Sequence, residues 1–166
     1  MNLYLMRHGI AEELGARGQW NDSQRELTQE GERKVKQISE GLAALQIKFD
    51  LIVASPYSRA QRTAEIVSQA SKHARLEISE HLIPGGSSKK LFEFLRGLGG
   101  MKEEILLVGH EPYLSDLASL LILGEAGGNI EMKKGGICKI RLAELREQKG
   151  GVLEWLLTPR QLRELA

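Results

Sequence analysis

Three short stretches carry the residues with the most chemistry to offer. Arg7-His8-Gly9 ends an apolar run, Leu3 to Met6. Ser55-Pro56-Tyr57-Ser58-Arg59 ends a second, Leu51 to Ala54. Gly109-His110-Glu111-Pro112 ends a third, Ile105 to Val108. Each run has the length and composition of a buried strand. In open α/β sheets, ligands gather beyond the carboxyl ends of the strands. If the three strands lie in one sheet and point the same way, Arg7, His8, Arg59 and His110 meet at one place. Two imidazoles and two guanidiniums around one small volume suit a phosphoryl group. The planar fork of arginine matches two oxygens and keeps its charge. A neutral imidazole can attack phosphorus while cations screen the oxygens it approaches. The second imidazole can hold an equatorial oxygen or handle a proton. Pro56 and Pro112 suit the first turn of a helix. Two helix N-termini are therefore expected at the same place, and these also favour anions.

A metal is the other serious use for two histidines. His110-Glu111 begins the pattern His-Glu-x-x-His, but position 112 is Pro and position 114 is Leu, so the motif fails. No Cys pair or His-x-His suggests zinc, and neither standard Gly-rich nucleotide loop is present. No metal and no cofactor are expected. Arg62, three residues after Arg59 and on nearly the same helical face, is either a further cation for the substrate or a solvated residue. Asp22 and Arg25 are candidates to fix the loop they sit in, and Arg25 is a candidate substrate contact. His73 reads as surface. His81 reads as structural or solvated, on a loop that could rim the site. Cys138, in an apolar segment, reads as core.

The elements that must position these residues follow from periodicity and punctuation. Residues 10–27 are polar and read as a long loop, a length that is usually functional or disordered; leaving a candidate site favours function. Thr28 looks like an N-cap. Val35, Ile38, Leu42 and Leu45 form a helical stripe that ends near Gln46. A strand over 50–55 leads to a helix over 57–71, with Ala60, Ala64, Val67 and Ala70 as inward positions. A short strand over 76–78, a turn at 84–88, a helix over about 88–98 and a strand over 104–109 follow. Pro112 starts a helix ending at Gly124. Segments 136–142 and 151–157 read as a strand pair, and Pro159 opens a short terminal helix. Strands alternating with helices predict an α/β layer fold with a largely parallel sheet and helices on both faces. The last two strands form its antiparallel edge.

The 166 residues fit one domain with a real core, spanning 1–166. Hydrophobic residues at 42% and charged residues at 27% are ordinary for a soluble globular protein. A net charge of +1 gives no electrostatic footprint for nucleic acid or an acidic membrane surface. No apolar run reaches the roughly 20 residues of a membrane span. The chain begins without a basic-then-apolar leader. A single cysteine fits a reducing compartment. A cytoplasmic location is expected.

Leu5-Met6-Arg7-His8-Gly9, the run Ser55 to Ala64 and Val108-Gly109-His110 together resemble the histidine phosphatase superfamily, the phosphoglycerate mutase-like group. The likeness is greatest to its small SixA-type phosphohistidine phosphatases. Asp22-x-x-Arg25-x-Leu27-Thr28-x-x-Gly31, Gly109-His110-Glu111-Pro112, Lys133-Lys134-Gly135-Gly136 and Thr158-Pro159-Arg160-x-Leu162 support this. The resemblance implies a three-layer α/β/α sandwich and a metal-independent phosphatase. It implies His8 as a transiently phosphorylated nucleophile, with Arg7, Arg59 and His110 as the phosphate pocket. Larger relatives carry insertions over the site and a carboxylate that protonates an alkoxide leaving group. Here residues 60–109 are a short connection, and Glu80 is the plausible carboxylate. An open site without an assured acid favours phosphohistidine, because imidazole has a conjugate-acid pKa of about 6.5 and alcohol oxygens are far more basic. The expected partner is a phosphorylated protein of the histidine phosphotransfer type, in signal transduction. The alternatives are a small phosphomonoester, a phosphoserine or phosphothreonine peptide, or a non-catalytic phosphate-binding module.

Overall fold

Strand β1 (Asn2–Arg7) lies in the middle of the sheet, and Leu3 to Met6 are all buried, as befits a strand covered on both faces. The computed structural model describes residues 1–71 and 74–166. The reading of His73 falls outside the described residues. After β1 come α1 (Gln29–Ala44), β2 (Leu51–Ala54), α2 (Ser58–Ala70), β3 (Arg75–Ile78), α3 (Ser88–Gly97), β4 (Glu104–Gly109), α4 (Tyr113–Leu123), β5 (Ile137–Arg141), β6 (Val152–Leu157) and α5 (Pro159–Glu164). The sheet order is β3-β2-β4-β1-β5-β6. β3, β2, β4 and β1 run parallel; β5 pairs antiparallel with β1, and β6 antiparallel with β5. The mostly parallel sheet with an antiparallel edge is the expected one.

Register sets the site. Met6 stands opposite Val108, and Val108 opposite Ala54. The tips of β1, β4 and β2 are therefore level. The ladder runs one residue further, because the His8 amide donates to the Gly109 carbonyl (3.1 Å) and the Ser55 amide to the Val108 carbonyl (3.0 Å).

Alternation along the strands divides the core into two layers. Leu3, Leu5, Val53 and Leu107 face α3 and α4, where Leu91, Phe92, Leu95, Leu114 and Leu117 are buried. Tyr4, Met6, Ile52 and Leu106 face α1, α2 and α5, where Val35, Ile38, Ala60, Ala64 and Leu162 are buried. The result is the three-layer α/β/α sandwich. Each large aliphatic side chain buried in this way contributes about 1.5–3 kcal/mol. Cys138 is wholly buried among the first set, as expected. Two inward assignments fail. Leu45 lies past the last turn of α1 and is exposed, since the chain turns away at Gln46 with φ of 58°. Ala70, at the last residue of α2, is exposed beyond the layer it would pack on. No helix among the described residues is long and apolar enough to cross a membrane.

Thr28 caps α1 as its sequence suggests, its Oγ1 accepting from the Gly31 amide at 2.9 Å. Gly31 itself allows α1 to close on the chain leaving β1. A Cβ there would stand 2.1 Å from the Ile10 carbonyl oxygen. Gly31→Ala is therefore expected to push α1 from residues 9–10 and to cost about 1–3 kcal/mol, as overpacking does. Denaturant midpoints check this; an unchanged midpoint would show that α1 yields freely.

Candidate active site

His8 sits where β1 gives way to loop, and its neighbours fix which nitrogen is free. Its Nδ1 lies 2.7 Å from the Gly9 carbonyl oxygen. A carbonyl only accepts, so Nδ1 carries the proton and donates. Nε2 is then the bare nitrogen, and the Arg59 Nε–H donates to it at 3.1 Å. Gly9 is held in turn, its amide donating to Thr63 Oγ1 (3.1 Å), which donates to the Arg59 carbonyl (2.7 Å). Burial lowers the His8 pKa to about 3, opposed by the Gly9 bond and reinforced by His110, Arg59 and Arg7. His8 is thus uncharged at neutral pH, with an unprotonated lone pair on Nε2.

Arg59 arrives from the first turn of α2. His8, Arg59 and His110 are only 6%, 3% and 2% exposed. A guanidinium so deeply placed needs an anion, and the loop over 10–27 supplies it. Arg59 Nη1 donates to the Asp22 carbonyl (2.6 Å) and Nη2 to Asp22 Oδ2 (3.1 Å). Arg25 Nε donates to Asp22 Oδ1 (2.8 Å), and Arg25 Nη1 to the Glu12 carbonyl (3.0 Å). Asp22 and Arg25 therefore fix the loop against α2, as expected. Burial pushes the Asp22 carboxyl up, but Arg59 and Arg25 together hold it below its usual value. Tyr57 completes the wall, its ring 5.2 Å from the Arg59 guanidinium carbon and 5.0 Å from the His110 ring.

His110 lies just past the tip of β4, its ring 5.1 Å from that of His8. Its Nε2 is 2.8 Å from Ser55 Oγ. Ser55 Oγ accepts from the Tyr57 amide (3.3 Å) and is wholly buried, and among the described residues its own proton has no acceptor but His110 Nε2, so it donates there. Nδ1 of His110 then carries the ring proton. It is buried and has no partner among the described residues. Burial, with Arg59 next, lowers the His110 pKa to about 4. Arg7 donates from Nη1 to the Met132 carbonyl (2.9 Å), while its Nε is buried without a partner. Two buried N–H donors lacking acceptors, beside a buried guanidinium and a bare imidazole nitrogen, suit a tetrahedral oxyanion.

The four central residues named from sequence thus lie together, and the outlying ones are placed elsewhere. Arg62 is spent on structure. Its Nε donates to Glu32 Oε1 (2.6 Å) and its Nη1 to Glu65 Oε2 (3.3 Å), tying α2 to α1. Among the described residues Arg25 is bonded to the site through Asp22. Glu80 opens a 3-10 turn (Glu80–Leu82) after β3; it is exposed, and among the described residues its carboxylate joins no hydrogen bond or ion pair with the four. His81 is half-buried, with Phe94 6.4 Å away. Sequence reading assigned no role to Ser55, Thr63 or Glu111. The first two sit in the second motif, Thr63 one helical turn beyond Arg59, which is the signal that was available.

The profile of the histidine phosphatase superfamily (branch 1) matches residues 3–83. The phosphohistidine phosphatase SixA homolog of Haemophilus influenzae is 32% identical over 131 residues, covering 73% of this chain and 77% of that one. An uncharacterized protein of Picosynechococcus is 34% identical over 149 residues, 89% of each chain. The structure of the protein histidine phosphatase SixA complexed with tungstate superposes with a TM-score of 0.82 at 24% identity, covering 98% of this chain and 99% of the other.

The two lowered imidazole pKa values tie stability to pH. In the unfolded chain each histidine titrates near 6.5. As pH falls below that, the unfolded state takes up protons that the folded state refuses until about pH 4 for His110 and about 3 for His8. Stability is therefore complete above about pH 6.5 and is lost as pH falls toward 4, by up to roughly 3 kcal/mol for each ring. Urea midpoints between pH 4 and 8 check this. The double variant His8→Gln, His110→Gln should lose most of the slope, and an unchanged slope would assign it to other groups.

Proposed function

The chain belongs to the histidine phosphatase superfamily, and we propose that within it this protein removes the phosphoryl group from phosphohistidine on a partner protein, through transient phosphorylation of His8. The observation that carries this reading is the His8 ring itself: buried, uncharged, pinned at Nδ1 by Gly9 and offering Nε2 beside Arg59. Arg59, Arg7 and the Nδ1–H of His110 would take the equatorial oxygens. For this, the Arg59 Nε–H leaves the His8 lone pair for a phosphoryl oxygen. Nε2 then attacks phosphorus in line, and the bond from phosphorus to the departing nitrogen breaks. A substrate ring already protonated on its other nitrogen departs as neutral imidazole. Water next attacks phosphorus, the P–Nε2 bond breaks, its electron pair returns to Nε2, and both protons of the water leave with the released phosphate. Catalysis of this kind is positioning and electrostatics, with covalent relay through the imidazole.

Support for phosphohistidine comes from the likeness to the Haemophilus influenzae SixA homolog and from the leaving group. A ring nitrogen leaves far more readily than an alkoxide. The expected partner is a phosphotransfer protein of a cytoplasmic signalling route, and the chain is expected to act as one domain.

Phosphate release from a histidine-phosphorylated phosphotransfer protein tests this, beside a panel of small phosphomonoesters. His8→Ala should leave no turnover, and retention of more than a few per cent would refute covalent catalysis by His8. Arg59→Ala should slow turnover by about 10²–10³-fold, the usual effect of removing a donor to developing charge. An unchanged rate would place Arg59 outside the pocket.

A further inference from the structure

Among the described residues two hydrogen-bonded links join the end of β1 to α2, and the reaction above spends one of them. The first runs from the Arg59 Nε–H to His8 Nε2 (3.1 Å). It occupies the lone pair that must attack, so it breaks when a phosphoryl group enters. The second runs through Thr63. The Gly9 amide donates to Thr63 Oγ1 (3.1 Å), and the hydroxyl donates in turn to the Arg59 carbonyl one helical turn back (2.7 Å). No atom of this bridge takes part in the reaction, so it survives the arrival of the phosphoryl group. Its ends hold the two groups that must stay aligned. Gly9 supplies the carbonyl that pins His8 Nδ1 (2.7 Å), and Arg59 carries the guanidinium for the phosphoryl oxygens. Thr63 is wholly buried, and Gly9 is buried with it. A buried amide without an acceptor is costly, and the described residues offer the Gly9 amide no acceptor but this hydroxyl. From α1, Val35 leaves the Gly9 peptide little room to shift, since a Cβ there would stand 2.7 Å from Val35 Cγ2.

We infer that Thr63 is a positioning residue for the phosphoryl transfer: its hydroxyl keeps the His8–Gly9 peptide and the Arg59 backbone in register after the direct bond between His8 and Arg59 has been given up. This rests on the reading of His8 as the nucleophile. Attack needs the reacting atoms about 3–3.5 Å apart and in line, and a misplacement of about 1 Å can cost 10²-fold. The Arg59 guanidinium sits at the end of a long side chain that Asp22 also holds, so it still binds phosphoryl oxygens without the bridge. What the bridge fixes is the distance and angle at which Nε2 meets the phosphorus. Loss of the Thr63 hydroxyl therefore acts on the rate of transfer and not on the affinity for the phosphoryl group.

The test uses the full chain with a histidine-phosphorylated phosphotransfer protein as substrate and inorganic phosphate as competing ligand. Thr63→Val keeps the shape of the side chain and removes the hydroxyl. It should lower kcat about 10–10²-fold and leave the inhibition constant of inorganic phosphate within about 3-fold, a margin of ~0.65 kcal/mol. Thr63→Ser, which keeps the hydroxyl and loses the methyl, should retain most of the rate. In 15N-labelled wild type, saturating inorganic phosphate should move the His8 Nε2 resonance as Arg59 leaves it, while the Gly9 amide stays as slow to exchange with solvent as before. Phosphate affinity that falls in step with kcat in Thr63→Val would make Thr63 a general support and overturn the inference. So would a Thr63→Ser variant as slow as Thr63→Val. Should Thr63→Val fail to fold, a Gly9 amide that exchanges freely in the phosphate complex, or a His8 Nε2 resonance that does not move, would overturn it from wild type alone. His8-dependent turnover that Thr63→Val leaves unslowed would overturn it while leaving His8 standing. Turnover that survives His8→Ala would instead remove the reading beneath it.

Discussion

Arg59 is a guanidinium placed almost wholly out of water, and the site depends on how its charge is met. Asp22 meets it, with both its carboxylate and its carbonyl. Taking a lone cation out of water costs several kcal/mol, and removing the partner of a buried pair commonly costs 3–5. That pairing, with the Ala11–Leu27 bridge at its base, holds a polar segment of eighteen positions between β1 and α1 down on the site. It explains the second cation too. Arg25 shares the same carboxylate and anchors it to Glu12. The loop, the first turn of α2 and the end of β1 are thereby one electrostatic unit. The unit remains rich in positive charge, because Arg7 contributes a third guanidinium, whose hydrogen-bond partner among the described residues is the Met132 carbonyl. An arriving phosphoryl dianion would complete a balance that the protein leaves uneven.

Much of this was legible before any coordinates. The three apolar runs ending in Arg-His-Gly, in Ser-Pro-x-x-Arg and in Gly-His are local patterns, and parallel pairing at level register is the ordinary way for such strands to pack. Fold and central residues follow from that. What stayed hidden is what depends on distant partners. Arg62 shares nearly the same helical face as Arg59 in sequence, yet the difference between them lies in Glu32, thirty residues earlier on α1. Ser55 was visible as the last residue of a strand; that it orients His110 needs the β2–β4 register. Glu80 and Glu111 look alike on paper. Beside α4 one carboxylate oxygen of Glu111 is buried, and Glu80 stands exposed after an edge strand. Leu45 and Ala70 failed for a simpler reason: a periodic stripe does not say where a helix outruns the layer beneath it.

The same burial that quiets the two histidines makes them useful. A solvated imidazole at neutral pH is partly protonated and wrapped in water. Here burial holds both rings neutral, and a different bond orients each. His8 donates from Nδ1 to a neighbouring carbonyl, and His110 leans its bare nitrogen on a serine. One ring keeps a lone pair for attack and the other keeps a hydrogen for an oxygen. Near-identical side chains thus take opposite roles through the orientation of one hydrogen bond each.

The contact between His8 Nδ1 and the Gly9 carbonyl carries a regiochemical consequence. Imidazole can form two positional isomers with an electrophile, and in solution both arise. With Nδ1 committed to the backbone, an adduct on His8 can form only at Nε2. The fold would thus enforce a single isomer through a bond made between adjacent residues, leaving the more distant groups free to govern rate.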